Sequence, residues 1–196
     1  MGHFEMFIAG HGGQGVLELG NLCAYLALQQ GKRVAYTPSY GPETRGGKVR
    51  CYVLTDDRPL DSPIAEATDL LVVMNEPSMD FEEVLVPGGI LLRNSSLAVR
   101  EATRDDIRIV NIPLTDIAAD LNAPEYAKLR GNLRDATVVQ NAVAYGALLV
   151  LRGENPGSPE VEKAVRQAFK SKAAAIPINM EAVRLGAEAA RKAQGD

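Results

Sequence analysis

A glycine-rich turn between a short apolar strand and a helix constrains the fold of this chain most strongly. Residues 4–9 are predicted as a strand, the segment Gly10-His-Gly-Gly-Gln-Gly15 follows, and a helical pattern then runs to about Gln30. Glycines allow a tight turn, and the free N–H groups at the start of a helix attract anions. The opening of the chain therefore predicts a β-loop-α unit.

The later segments alternate between strand and helix. The run Asp69-Leu-Leu-Val-Val-Met74 is typical of a strand covered on both faces of a parallel sheet. A helix is expected to open near Thr115 and Asp116. Further strands are predicted at 32–37, 49–55, 88–92 and 107–112, and further helices at 136–151, 159–172 and 179–192. This order predicts an α/β fold: a three-layer α/β/α arrangement with a mostly parallel open sheet and C-terminal helices packed on it. The length of 196 residues fits a single domain over 1–196.

A second segment rich in proline and glycine follows the second predicted strand. It reads Pro38-Ser-Tyr-Gly-Pro-Glu-Thr-Arg-Gly-Gly47. Proline and glycine at this density are expected to exclude regular structure. We therefore predict a loop over these ten residues.

Charge and composition exclude several classes of partner. The net charge of −4 does not favour nucleic acid, whose binding proteins cluster lysine and arginine. Since no apolar run approaches the roughly 18 to 20 residues of a membrane span, and residues 1–7 lack the pattern of a signal peptide, we expect a cytoplasmic protein outside the membrane. Cys23 and Cys51 are the only cysteines, which is too few for a disulfide framework or a Cys-x-x-Cys metal site.

The glycine turn alone does not establish a cofactor. Gly10, Gly12 and Gly15 satisfy G-x-G-x-x-G, but a nicotinamide-binding domain also needs an acidic residue about 20 positions later. The second predicted strand instead ends in Tyr36-Thr37-Pro38. Two interpretations stay open: the glycines only let the helix pack closely, or Gly12, Gly13, Gln14 and Gly15 contact a phosphate or a partner backbone.

The sequence provides no catalytic constellation. Val16 follows Gly15, where a phosphate-binding loop would carry lysine, and there is no G-x-S-x-G motif. His3 and His11 are the only histidines, so a triad or a histidine-rich metal cluster cannot be completed. We predict no catalytic residue and no metal ligand in this chain.

Taken together, several motifs resemble the gamma subunit of 2-oxoacid:ferredoxin oxidoreductases. The likeness covers nearly the whole chain. It is carried by the glycine turn through Val16, the segment 38–47, Asp61-Ser-Pro63, the strand 69–74, Asn141-x-x-x-x-Gly-Ala147 and Asn179-x-x-Ala-x-x-x-Gly186.

The resemblance implies oxidative decarboxylation of a 2-oxoacid with coenzyme A (CoA), giving an acyl-CoA, carbon dioxide and reduced ferredoxin. It also implies thiamine diphosphate, iron–sulfur clusters and CoA in the assembled enzyme. This chain lacks a Gly-Asp-Gly…Asn thiamine signature and cluster cysteines, so we expect no cofactor bound by it alone and no activity in isolation. The implied partners are alpha and beta subunits, with a delta subunit in some assemblies, and ferredoxin indirectly.

The second glycine segment supplies the other candidate site residues. Tyr40 is an aromatic anchor and Arg45 a forked cation, while Gly41, Gly46 and Gly47 let a backbone approach. They suit an intersubunit contact or a CoA phosphate, and alternatively Arg45 satisfies groups within its own loop. The segment Ser39-Tyr-Gly-Pro-Glu43 is most similar to that of 2-oxoglutarate enzymes, with enzymes of pyruvate and of branched-chain or aryl 2-oxoacids as relatives. A stand-alone CoA- or dinucleotide-binding α/β protein is the alternative.

Overall fold

The structure, a computed structural model, describes residues 2–41, 47–60 and 67–195. They contain one mixed sheet of six strands in the order β2-β3-β1-β4-β5-β6. β1, β4, β5 and β6 run parallel, whereas β3 lies antiparallel between β1 and β2. The strands are β1 Phe4–His11, β2 Arg33–Tyr40, β3 Lys48–Asp56, β4 Thr68–Val73, β5 Leu85–Asn94 and β6 Arg108–Ile112.

One α-helix follows β1, and the other five α-helices of the described ranges follow β6. The α-helices are α1 Val16–Gln29, α2 Leu114–Asp120, α3 Ala127–Arg130, α4 Gln140–Leu151, α5 Pro159–Ala168 and α6 Ile176–Gln194. Short 3-10 segments occupy Glu76–Val84, Pro124–Tyr126, Ala136–Val139 and Lys170–Ala175. Within the described ranges, every helix is too short or too polar to cross a bilayer.

The two faces of the sheet are covered differently. Met6 and Ile8 of β1 pack with the α-helices in the larger core, and the intervening Phe7 and Ala9 pack on the opposite face. That second face is covered by the 3-10 segment Glu76–Val84 and by side chains of the loop before β6. The predicted α/β fold, with a mostly parallel open sheet and C-terminal helices packed on it, is confirmed.

The predicted loop over residues 38–47 is wrong for its first three residues. Pro38, Ser39 and Tyr40 continue β2 and pair with Cys51, Arg50 and Val49 of β3, respectively. β2 is an edge strand, where some backbone N–H groups face no other strand and a proline is therefore tolerated. The rest of the segment from Pro42 to Gly46, including Arg45, lies outside the described residues, as does Asp61-Ser-Pro63.

Helices α4 and α6 approach each other closely enough to exclude any side chain at two glycines. A Cβ added to Gly146 would lie 1.9 Å from the Val183 carbonyl oxygen, and one added to Gly186 would lie 1.9 Å from the Val143 carbonyl oxygen. Both obstacles are backbone atoms, which cannot rotate away. Gly146 and Gly186, each part of a motif that carries the family resemblance, therefore allow this close contact between the two helices.

His3 links the start of β1 to the end of β3 and gives the fold a pH dependence. Its Nδ1 lies 2.9 Å from Asp56 Oδ2 and its Nε2 lies 2.6 Å from Glu5 Oε1. The hydrogen bond with Glu5, with a further contribution from Asp56, raises the pKa of His3 above its usual 6.5. A raised pKa means that the folded state binds the proton more tightly than the unfolded state does.

We therefore expect the wild type to be more stable than His3→Gln below about pH 6.5. This advantage should disappear as the pH rises through the raised pKa of His3. Because the His3 side chain is 46% exposed, the difference should stay below about 1 kcal/mol. Urea unfolding at pH 5.5 and pH 8 measures it, and an advantage that grows with pH would contradict the assignment.

Candidate functional site

The glycine turn follows β1, whose parallel neighbour is β4. The chain crosses to one face of the sheet after β1 and to the opposite face after β4. After β1, helix α1 packs on the larger core, and after β4 the 3-10 segment Glu76–Val84 packs on the smaller one. In open α/β sheets, the crevice at such a point, beyond the carboxyl ends of the strands, is the usual ligand site. The fold thus places residues 10–15 at the position where a site is expected.

Gln14 occupies the floor of this crevice. Its side chain is 3% exposed, and its Nε2 donates to the Met74 carbonyl at 2.9 Å. Its Oε1 accepts from the backbone N–H of His11 at 3.0 Å and from Asn75 Nδ2 at 2.9 Å. The Gln14 side chain therefore orders the turn from inside, which leaves contact with a phosphate or a partner to the exposed Gly12 and Gly13.

A buried polar chain continues from Gln14 along the carboxyl edge of the sheet. Asn94 Nδ2 donates to the Met74 carbonyl at 3.1 Å and to Thr115 Oγ1 at 3.0 Å. Thr115 Oγ1 in turn donates to Gln140 Oε1 at 2.8 Å. The sequence patterns did not identify these three residues as part of a site. The available signal, for Asn94 and Thr115, is a polar side chain at or just beyond the end of a strand.

The structure brings the two glycine segments together. The N–H of Gly12 donates to the Gly47 carbonyl at 3.0 Å, and the N–H of Gly41 donates to the Lys48 carbonyl at 2.8 Å. Tyr40 stands at the end of β2 with 67% of its surface exposed. Of the residues predicted in the second segment, Gly47 is thus placed beside the glycine turn, and Tyr40 and Gly41 lie at the same edge of the sheet but across β3 from the turn. Arg45 and Gly46 lie outside the described residues.

Gly15 is required by conformation and by packing. Its φ of 73° lies in the left-handed region that side-chain-bearing residues rarely adopt. A Cβ at Gly15 would also lie 2.7 Å from Cγ of Asn141, in the first turn of α4. This close contact joins the turn to α4 and not to the sheet, and it leaves Gly12 and Gly13 open to a ligand.

A cavity of 260 Å³, which we term the glycine-turn cavity, opens between the turn, β3 and the 3-10 segment. Its lining includes the cations Lys48 and Arg50 and the imidazole of His11, and Arg50 stacks over the Phe81 ring at 5.5 Å. The described lining is Gly10, His11, Gly47, Lys48, Val49, Arg50, Asn75, Pro77, Ser78 and Phe81. It combines cations, an aromatic ring and the start of a 3-10 helix, a combination that suits an anion such as a phosphate.

The strand order argues against a nicotinamide site at the turn. In a dinucleotide-binding domain, the strand after the first helix lies beside the first strand and ends in an acid. Here β3 separates β2 from β1, and β2 ends in Tyr40. An acidic residue at the end of β2 is therefore absent, and the end itself is one strand too far from the turn.

The cysteines do not fit an iron–sulfur cluster. Cys23 and Cys51 are fully buried, and burial raises the pKa of Cys23 to about 12 and that of Cys51 further still. Cluster ligation requires several thiolates, usually four. These two thiols act as core side chains, and a cluster would need ligands from other chains.

Comparison with known proteins places these features in a family context. The family model described as pyruvate ferredoxin/flavodoxin oxidoreductase matches residues 5–189. The ketoisovalerate oxidoreductase subunit VorA of Methanothermobacter thermautotrophicus is 33% identical over 186 residues, which cover 94% of this chain and 36% of that protein. The 2-oxoglutarate synthase subunit KorC of the same organism is 33% identical over 151 residues, covering 76% of each chain.

Solved structures share the same architecture. The gamma subunit of a keto/oxoacid ferredoxin oxidoreductase from Geobacter sulfurreducens PCA superposes with a TM-score of 0.75 at 26% identity, covering 98% of this chain and 99% of that one. Pyruvate oxidoreductase subunit PORC from Thermotoga maritima gives a TM-score of 0.72 at 26% identity, covering 96% and 97%. The chain spans about a third of the length of the VorA relatives.

Proposed function

Because the chain belongs to the pyruvate ferredoxin/flavodoxin oxidoreductase family, we propose that it is a gamma-type subunit of a 2-oxoacid:ferredoxin oxidoreductase. The assembled enzyme would convert a 2-oxoacid, CoA and oxidised ferredoxin to acyl-CoA, carbon dioxide and reduced ferredoxin. Residues 1–196 would act as one domain in it. The likeness to KorC, a 2-oxoglutarate synthase subunit, and the sequence of residues 39–43 favour 2-oxoglutarate as the substrate.

The observation that carries this proposal is the joining of the two glycine segments at the switch point of the sheet. The Gly12 N–H to Gly47 carbonyl bond joins the exposed glycine turn to the start of β3, and the exposed Tyr40 pairs with Val49 on the other side of β3, at the same edge of the sheet. An exposed glycine backbone, which a partner can approach closely, at the same edge as an exposed aromatic side chain is typical of a protein interface. We assign this edge to partner subunits of alpha and beta type, and to a delta type where one exists.

The redox chemistry would belong to those partners. Thiamine diphosphate stabilises the carbanion formed on decarboxylation, and iron–sulfur clusters carry the electrons. The contribution of this chain would be to dock through Tyr40 and the turn, and to hold a CoA phosphate near Lys48 and Arg50 in the glycine-turn cavity. Both side chains are exposed cations that form no ion pair among the described residues, so they can reach an anion from the surface.

Reconstitution tests the proposal directly. The chain is produced with candidate thiamine- and cluster-containing subunits from the same genome, and 2-oxoacid-dependent reduction of methyl viologen is measured with each component alone and with the mixture. We expect activity only in the mixture, with 2-oxoglutarate preferred over pyruvate, ketoisovalerate and indolepyruvate. Full activity of the partners without this chain would refute a subunit role, and a different preferred acid would refute the substrate alone.

Tyr40→Ala should weaken assembly by about tenfold, as loss of a central aromatic anchor does at protein interfaces. Leu28→Ala is the matched control, since Leu28 is a 55% exposed apolar residue near the far end of α1. Titration of each variant against the partner subunits, followed by light scattering, measures the dissociation constant. Equal affinities for the two variants would remove Tyr40 from the interface.

Arg45→Ala separates the CoA and partner assignments of the second segment. Unchanged assembly together with a raised KM for CoA would assign Arg45 to CoA, and weakened assembly would assign it to the interface. If neither changed, Arg45 would contact only groups of its own loop.

For the alternative of a stand-alone binding protein, calorimetry of the isolated chain with CoA, NAD and NADP should give no nicotinamide binding, because β2 is displaced from the turn.

A further inference from the structure

A second cavity lies on the opposite face of the sheet from the glycine-turn cavity. It has a volume of 260 Å³ and lies where the first turns of α1, α4 and α6 meet. We term it the two-asparagine cavity, because Asn141 of α4 and Asn179 of α6 both line it. Phe169, Val139 and Leu133 give it apolar walls. The proposed docking edge does not use this cavity.

Asn179 carries a hydrogen-bonding group that the fold leaves unused. The residue is 2% exposed, and its Nδ2 donates to the Ala175 carbonyl at 2.8 Å. This bond fixes the orientation of the amide, so Oδ1 must be the other polar atom, and it has no hydrogen-bond partner among the described residues. A buried acceptor without a donor is unfavourable, and it is satisfied when a ligand brings an N–H or O–H group.

Asn141 adds a second amide to the same cavity. It is 4% exposed and packs against the Cα of Gly15, which holds it in place. Within the described part of the chain, no hydrogen bond engages its side chain, so both its donor and its acceptor are available. Together, the two asparagines offer acceptors and a donor to one ligand group.

The charges at the cavity are balanced. Burial raises the pKa of the Glu18 carboxyl, and the nearby Lys172 ammonium acts in the opposite direction. An anionic ligand would meet Glu18 and the free oxygen of Asn179, whereas a cationic ligand would meet Lys172. The electrostatics therefore favour a neutral group that carries a donor and an acceptor side by side.

We propose that the two-asparagine cavity binds a primary carboxamide attached to an apolar or aromatic body. The amide N–H₂ of the ligand would donate to Asn179 Oδ1, its carbonyl would accept from Asn141, and the body would pack against Phe169 and Val139. Such a group comes either from a glutamine or asparagine side chain of another polypeptide or from a free small molecule. The inference does not depend on the proposed oxidoreductase function.

Four probes of nearly equal shape test the chemistry on the unmodified full chain. Benzamide, benzoate, benzamidinium and acetophenone are titrated separately, and amide chemical shifts report the affinity and place of binding. We expect benzamide to bind about tenfold more tightly than each of the others, with shifts at Gly15 and Ala175. Tighter binding of benzoate or benzamidinium, no binding of any probe, or shifts elsewhere would overturn the proposal.

A variant ties the binding to the unpartnered oxygen. Asn179→Leu keeps the size of the side chain and should reduce benzamide affinity at least about tenfold, whereas Asn155→Leu, in an exposed turn, should leave it unchanged. Equal losses in both variants would contradict the assignment.

Acetyl-glutamine methylamide, compared with benzamide, distinguishes the two sources of the carboxamide. Tighter binding of the peptide-like probe indicates a polypeptide partner, and tighter binding of benzamide indicates a free ligand.

Discussion

Gly146→Ala should lower the free energy of unfolding by about 3 kcal/mol, because the α4–α6 contact has no room for a methyl group. The new Cβ would lie 1.9 Å from the Val183 carbonyl oxygen, which belongs to the backbone of α6. Relief requires moving one helix away from the other by more than 1 Å, which opens the densely packed region between them. Urea unfolding followed by circular dichroism measures the loss.

The expected sign depends on two opposing effects. Alanine is favoured over glycine within a helix by up to about 1 kcal/mol, so helix propensity alone would stabilise the variant. The steric effect should be larger, since a clash with a carbonyl cannot be removed by changing a rotamer. Gly157→Ala is the control, because a Cβ there meets only Asn155 Oδ1 at 3.6 Å, and its effect should be within about 0.5 kcal/mol.

The same contact predicts non-additivity. Gly186→Ala brings a Cβ to 1.9 Å from the Val143 carbonyl, so either substitution alone should already force the helices apart. Once they have separated, the second methyl group costs little. We expect the double variant to be clearly less destabilised than the sum of the two single variants. Strict additivity, or an unchanged stability in either single variant, would show that the helices are not held at this distance.

The regular elements followed from the sequence because their signals are local. The apolar run at 69–74 gave β4 to within one residue at either end, and the glycine turn gave the start of α1 at Val16. The last helix was predicted to begin at residue 179, yet α6 begins at Ile176 and accommodates Pro177 in its first turn. A proline therefore marks a helix boundary without showing whether the helix lies before it or begins with it.

The placement of β3 could not be predicted from local patterns. Its alternation indicates a strand, but its antiparallel position between β1 and β2 depends on pairing between residues about 50 positions apart, such as Phe4 with Thr55. That insertion moves the end of β2 away from the glycine turn. It is also what brings Gly47 to within hydrogen-bond distance of Gly12.

The orientation of single polar side chains was likewise beyond the sequence. Gln14 stands among glycines in an apparent loop, where a polar residue is expected to face solvent. The structure turns it inward because Met74 and Asn75, just after β4, present an acceptor and a donor to it. Asn141 and Asn179 were noticed as parts of the family-like motifs, but their meeting in one cavity required the helix packing.

Gln14→Leu should destabilise the chain by roughly 3 kcal/mol, since it removes the buried amide that joins the glycine turn to β4. Three hydrogen bonds are lost, to the His11 N–H, the Asn75 amide and the Met74 carbonyl. Leucine has a similar size, so the effect comes from the polar groups left without partners. Hydrogen exchange should show faster exchange of the His11 and Gly12 amides than in the wild type.

Gln30→Leu is the matched control for this loss of polar bonds. Gln30 Nε2 donates to Glu154 Oε2 at 2.9 Å on the exposed surface, where water replaces the lost partner, so its removal should cost less than about 0.5 kcal/mol. Similar losses in the two variants would mean that Gln14 does not hold the turn. If Gln14→Leu is destabilised but still assembles with partner subunits as tightly as the wild type, the order of the turn is a property of the fold alone, and docking must depend on Tyr40 and the second segment.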